Sequence, residues 1–195
     1  MLQPLEAYFE LLAHWNARIN LTALPLDPPT DEAFDRLLVE PLAAARQIPT
    51  HTPSVWFDLG SGGGSPAIPL KIARPALKLT MVESKERKGA FLREAVRALG
   101  LADAQVETAR FEAVAEKVTF ANSADVVTVR AVRTDGQLFD SAARMLKNGG
   151  QLLMFRPSHS PNPDPTGFKH VSTVQLIDVP QSFLTVYRRV FHVEQ

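Results

Sequence analysis

Residues 55–66 read VWFDLGSGGGSP, a short apolar run carrying one acid, then glycines at 60, 62, 63 and 64 ahead of Pro66. An apolar run that short, ending in glycines and leading into helix-like sequence, marks a buried strand, a tight turn and a helix start. Glycine lets the backbone take positive φ and approach a ligand closely, and a helix N-terminus offers unpaired N–H donors. The turn is therefore a nucleotide-cofactor turn. Taken as G-x-G-x-x-[GAS], Gly60, Gly62 and Ser65 fall on the three positions of a dinucleotide loop, a weak pattern alone. Asp58 narrows it. A carboxylate two residues before the first glycine repels a pyrophosphate but suits a ligand bearing an ammonium group and a sulfonium, and S-adenosylmethionine has both.

Beyond this turn, strand-like and helix-like stretches alternate. Helix is predicted over 66–73, strand over 77–83, helix over 85–99, strand over 104–108, a short helix from Phe111, strand over 124–130, helix over 136–146 and strand over 151–155. Such alternation requires crossover helices on a parallel sheet, so the class is α/β. Two β-rich runs after a Pro-rich segment at 158–167, read as a mobile loop, predict a terminal hairpin at the sheet edge. Leu5, Phe9, Leu12 and Trp15 recur at helical spacing, so the first twenty residues read as an amphipathic helix. Thr30 or Asp31 caps a second helix through Leu42. The expected division is a helical appendage at 1–47 and an α/β domain at 48–195.

Glu83, at the end of the second predicted strand, stands where this architecture places a side chain beside a ribose, and its carboxylate can accept both hydroxyls. The competing readings are structural: Asp58 capping the glycine turn, and Glu83 capping the helix that begins near Lys85.

The 195 residues contain no cysteine, which excludes disulfides, thiolate metal sites and cysteine nucleophiles and fits a cytoplasmic setting. His14, His51, His159, His170 and His192 show no metal-ligand spacing, so no metal is expected. No signal sequence or eighteen-residue apolar run is present, so no membrane is expected. Twenty-one basic residues balance twenty-one acids, but unevenly. Residues 1–50 hold three basic and seven acidic side chains, whereas 71–100 hold eight basic and three acidic. The basic stretch reads either as a solvated helix face or as a phosphate-facing surface.

WNARINLT (15–22), FDLGSGGGSPAIPLKIARP (57–75), ESKERKGAFL (83–92), ARFE (109–112) and VRA (129–131) together resemble the GidB/RsmG methyltransferases. That family uses S-adenosylmethionine to methylate guanine N7 in 16S ribosomal RNA. The chain departs from its pattern at Ala67, Val129 and Arg156–Pro157, and FDRLLVEPL (34–42) stands where the family has RHxxDS, with Arg36 nearest the histidine position. The resemblance implies a Rossmann-like class I methyltransferase with a mostly parallel sheet, and a small-subunit ribosomal RNA or ribosomal-subunit partner. A monomer is the expected state. It also implies a cofactor held by Gly60, Ser65, Phe111, Glu112 and Arg130, beside Asp58, Gly62, Gly64 and Glu83.

Arg130 can hold the methionine carboxylate or a substrate phosphate, or serve a structural ion pair. Phe111 is an apolar wall for adenine or ordinary core. Asn20 orients the guanine or caps a helix. With Arg130 and Asn20, Arg156 completes the candidate catalytic set, and Arg87, Lys88 and Arg133 join the basic patches for RNA. Methyl transfer to a protein or small molecule, and a non-catalytic cofactor-binding homologue, are the alternative readings.

Overall fold

Val55–Leu59 forms strand β1, and its burial on both sides dictates what surrounds it. Trp56 points to one face and Phe57 to the other, both fully buried, so each face of the sheet must be covered. The computed structural model, describing residues 2–48, 54–158, 164–179 and 181–190, shows how. Strands β2 (Lys78–Val82), β3 (Ala104–Glu107), β4 (Ala124–Arg130), β5 (Leu146–Arg156), β6 (Phe168–Ile177) and β7 (Ser182–Arg189) join β1 in one sheet of order β3-β2-β1-β4-β5-β7-β6. The first five run parallel, and β7 enters antiparallel between β5 and β6.

Helices α1 (Leu2–Asn16), α4 (Ala67–Ala73) and α5 (Glu86–Ala98) cover the face of Trp56, where Leu12, Ile68, Phe91, Leu92 and Met81 share its core. Helices α6 (Phe111–Ala115) and α7 (Gly136–Met145) cover the face of Phe57 with Val114, Leu138 and Met145. The Rossmann-like α/β architecture is thus present, with the expected terminal hairpin.

Boundaries moved for local reasons. The first helix stops at Asn16, whose side-chain oxygen accepts the backbone N–H groups of Leu21 and Thr22 at 2.9 and 3.0 Å and so closes the chain into a turn. Asn16, four residues before the expected Asn20, makes these turn-closing bonds. The second helical segment is capped by Thr30, whose hydroxyl accepts from the Ala33 N–H. It is interrupted: α2 (Asp31–Phe34) passes into a π-helical turn (Asp35–Val39), then α3 (Glu40–Ala44) and a 3₁₀ turn (Ala45–Gln47). The fifth strand begins at Leu146 rather than 151, because Leu146 already pairs with Ala124 before an irregularity in the ladder. Of the Pro-rich loop, 159–163 lie outside the described residues, as do His51, His159 and His192. Among the described residues, no helix is long and apolar enough to cross a membrane.

The N-terminal helix is tied to the glycine turn by a partly buried hydrogen bond: the Tyr8 hydroxyl donates to the Gly63 carbonyl at 2.7 Å. Replacing Tyr8 by Phe keeps the ring packing and removes the donor. Urea unfolding of Tyr8→Phe is expected to show a loss of about 1–2 kcal/mol; an unchanged midpoint would mean the carbonyl finds another donor.

Candidate functional site

At β1 and β4 the sheet's connections diverge, one side running to β2 and the other to β5. In open α/β sheets the crevice beyond the strand ends at such a point is where ligands bind. Here it holds a cavity of about 350 Å³, walled by Gly60, Ser61, Gly62, Gly63 and Ser65 of the turn, Glu83 after β2, Lys88 on α5, and Arg130 and Ala131 at the end of β4. The segment after α1 closes it with Leu21, Thr22, Ala23 and Leu24, and the π-helical turn adds Leu37.

The turn is built for close approach. Gly62 has φ +51°, and a Cβ there would meet only the Gly60 carbonyl, at an ordinary contact distance of 3.8 Å. Its N–H donates to Glu83 Oε2 at 2.9 Å, while the Lys85 N–H donates to Oε1 at 2.8 Å. The capping role of Glu83 is therefore present: Lys85 is the N-cap residue of α5. Each carboxylate oxygen has two acceptor sites, so both can still receive a ligand hydroxyl. An open glycine cradle with a carboxylate at its rim fits a ribose-bearing, cationic ligand.

Asp58 lies beneath the turn, 1% exposed, and is not part of the cavity wall. It belongs to a buried relay in which the Trp56 indole N–H donates to the Thr128 hydroxyl at 2.8 Å and that hydroxyl donates to Asp58 Oδ1. The Ser61 hydroxyl donates to the Asp58 backbone carbonyl. Burial pushes the carboxyl up to about 6, and the Ser61 and Thr128 hydroxyls and the Arg130 charge offset only part of this.

Arg130 is held from three sides. One amino group donates to the Arg36 carbonyl at 2.6 Å and to Ser65 Oγ at 3.0 Å, and the other pairs with Glu40 Oε2 at 2.8 Å. The ion-pair reading is realised, with Arg130 still on the cavity wall. Burial is the largest effect on both partners, lowering the Arg130 pKa and raising that of Glu40, so the pair carries a desolvation cost that its contacts must offset.

The structure thus gathers Gly60, Gly62, Ser65, Glu83 and Arg130 around one cavity. Gly64 is buried below the turn with φ +86°, where a Cβ would come within 2.5 Å of Ile68 Cδ1. Phe111 and Glu112 open α6, half-buried and off the cavity wall, with Phe111 packed on the second core. Asn20 is exposed and also off the wall. Arg156 ends β5 and touches Met154 Sδ at 3.7 Å. Thr22 and Leu37 join the wall without having been singled out; Glu40 was missed too, although Arg36-x-x-x-Glu40 is a helical ion-pair spacing legible in the sequence.

Six of the eight basic residues in 71–100 fall into two classes. Lys71 donates to the Pro75 and Leu77 carbonyls, Arg74 to the Ala45 carbonyl, Arg93 to Glu86 and Arg97 to Glu94. These four are structural, whereas Lys88 faces the cavity and Arg87 is exposed beside it. Among the described residues, no group of three metal-ligating side chains occurs.

A family model and curated relatives agree on one family. The model of the GidB family, rRNA small subunit methyltransferase G, matches residues 1–174. A ribosomal RNA small subunit methyltransferase G from Xanthomonas axonopodis pv. citri is 38% identical over 155 residues, covering 78% of this chain and 68% of the relative. Its counterpart from Xylella fastidiosa is 40% identical over 156 residues, covering 80% and 69%. Among solved structures, a SAM-dependent methyltransferase from Aquifex aeolicus matches with a TM-score of 0.62 at 14% identity, covering 82% of this chain and 94% of that one. A variant of MtNAS in complex with S-adenosylmethionine matches at 0.65 and 14%, covering 96% and 75%. At such identity these two speak for the fold alone.

The burial of Asp58 predicts a pH dependence of stability. A carboxyl at 3.8 in the unfolded chain and about 6 in the fold binds its proton more tightly when folded. Its charge therefore disfavours the fold fully above about pH 6, and the penalty is relieved as pH falls toward 3.8. Urea titrations of parent and Asp58→Asn from pH 4 to 7 should diverge by about 3 kcal/mol across that window. Parallel curves would contradict the assignment.

Proposed function

We propose a function from one premise: the chain belongs to the GidB family, rRNA small subunit methyltransferase G. It is a methyltransferase of small-subunit ribosomal RNA. The finer reading is methyl transfer from S-adenosylmethionine to N7 of a guanine in 16S ribosomal RNA, presented on the small subunit, by a cytoplasmic monomer. Within it, residues 1–47 form the helical appendage and 48–195 the catalytic domain. The observation that carries this reading is the convergence of the open glycine turn, Glu83 and Arg130 on a single cavity at the switch point of the sheet.

S-adenosylmethionine supplies an electrophilic methyl on a sulfonium. The Gly60–Ser65 turn offers backbone close approach, and Glu83 offers the acceptor sites left by its two backbone bonds. Guanine N7 presents an in-plane lone pair and has no proton to lose, so no general base is required. The protein's contribution is alignment and electrostatics. Lys88 puts positive charge on the wall where an RNA phosphate arrives, Arg130 in its pair with Glu40 lines the same cavity, and Thr22 and Leu37 complete the lining. Asn20 and Arg156 belong to the outer rim, in contact with RNA rather than with the reacting atoms.

Two measurements test this. Small subunits from a host lacking the modification should accept labelled methyl and yield N7-methylguanosine at a single position; cofactor binding without transfer to any such subunit would overturn the acceptor. Calorimetry should show S-adenosylmethionine binding weakened about tenfold in Glu83→Gln, and equal affinity in a folded variant would remove Glu83 from the site.

A further inference from the structure

The π-helical turn at Asp35–Val39 has a chemical cause and a consequence at the cavity. Pro41 has no backbone N–H, so the Leu37 carbonyl has no α-helical donor four residues on. The Glu40 N–H reaches back five residues to the Asp35 carbonyl, which leaves the Arg36 carbonyl without its α-helical donor too. Both carbonyls turn toward the glycine loop and the end of β4. Leu37 accepts from the Ser65 hydroxyl at 2.9 Å, and Arg36 accepts from Arg130.

Glu40, next in the chain, completes the arrangement. Its side chain is 2% exposed, with one oxygen on Arg130 and the other 3.7 Å from Arg36. Arg36 in turn donates to the Gln181 carbonyl, in the connection leading into β7. A guanidinium has five N–H donors. Glu40, the Arg36 carbonyl and Ser65 engage three of those of Arg130, so Nε–H and one hydrogen of the second amino group lie outside these three bonds. A planar fork held on three points cannot rotate, so the direction of the remaining donors is fixed.

We infer that Glu40 is a positioning residue for methyl transfer: together with the Arg36 carbonyl and Ser65 it forms a socket that holds the Arg130 guanidinium in one orientation on the cavity wall. The inference rests on the reading of this cavity as the transfer site. Glu40 touches neither substrate nor cofactor in this role and acts through Arg130.

The test compares the parent with Glu40→Gln, which keeps the shape and loses the charge, and Glu40→Asp, which keeps the charge and shortens the arm. Arg130→Lys assigns the Arg130 signals. Nitrogen-15 NMR of the arginine side chains should show hindered rotation of the Arg130 guanidinium in the parent and its release in Glu40→Gln. Methyl transfer to undermodified small subunits should lose between about tenfold and about a hundredfold in kcat, with KM and S-adenosylmethionine affinity close to the parent's. Glu40→Asp should recover part of both readouts, and it carries the test if Glu40→Gln does not fold. An unchanged kcat in a folded Glu40→Gln overturns the inference, as does free rotation of Arg130 in the parent. Losses that follow melting temperature alone, with no partial recovery in Glu40→Asp, reduce Glu40 to a structural role and overturn it as well. If the parent itself transfers no methyl while Arg130 is hindered and released as expected, the failure belongs to the functional reading and the socket stands.

Discussion

The Arg130 guanidinium, placed out of water against Glu40, is the constraint on which the candidate site depends. A cation moved into a half-buried position must find acceptors at fixed points or the fold loses several kcal/mol. Those acceptors come from different parts of the chain: a carboxylate on α3, a carbonyl in the π-helical turn and a hydroxyl in the glycine loop. Meeting one charge therefore sets how the N-terminal helices sit on the sheet, how the glycine loop is held and where β4 ends. The Tyr8 bond to Gly63 and the packing of Leu12 and Leu21 against that residue act in the same direction from the other side.

The sheet itself was legible because it is a matter of hydrophobic pattern. A strand buried on both faces reads as an apolar run, and the runs at 54–59 and 124–130 lie, to within one residue, where the structure has β1 and β4. The glycine turn was legible for a similarly local reason, since only glycine fits a backbone at φ +86° with Ile68 against it. What could not be read was pairwise and distant. Arg130 and Glu40 are ninety residues apart in sequence, and nothing near either announces the other. The π-helical turn was hidden because a proline inside a helical pattern reads as an end or a kink, whereas here the chain absorbed Pro41 by widening one turn. Two carboxylates that looked like ligand contacts also serve the fold: Asp58 terminates a relay from Trp56 through Thr128, and Glu83 caps both the turn and α5.

Charge counting was least informative where it looked strongest. The basic excess at 71–100 counts side chains without regard to partners, and four of the eight cations there are engaged by carbonyls or by acids of the same helix. The charge left for an approaching polyanion is local: Lys88 on the cavity wall with Arg87 exposed beside it, since Arg130 is itself paired with Glu40. This is compatible with a neutral chain, because association with a structured RNA needs a few well-placed cations and a matching shape rather than a large net charge.

The position of β7 governs the order in which the molecule can be assembled. It lies between β5 and β6, so β6, although made first, has no place in the sheet until β7 has been synthesised. The Arg36 contact with the Gln181 carbonyl spans 145 residues and waits on the same event. A nascent chain can therefore complete its five parallel strands and close the socket around Arg130 while its outer edge is still open. The last strand to emerge then fills the place between β5 and β6 and brings the Gln181 carbonyl to Arg36, on the helical segment that carries Glu40.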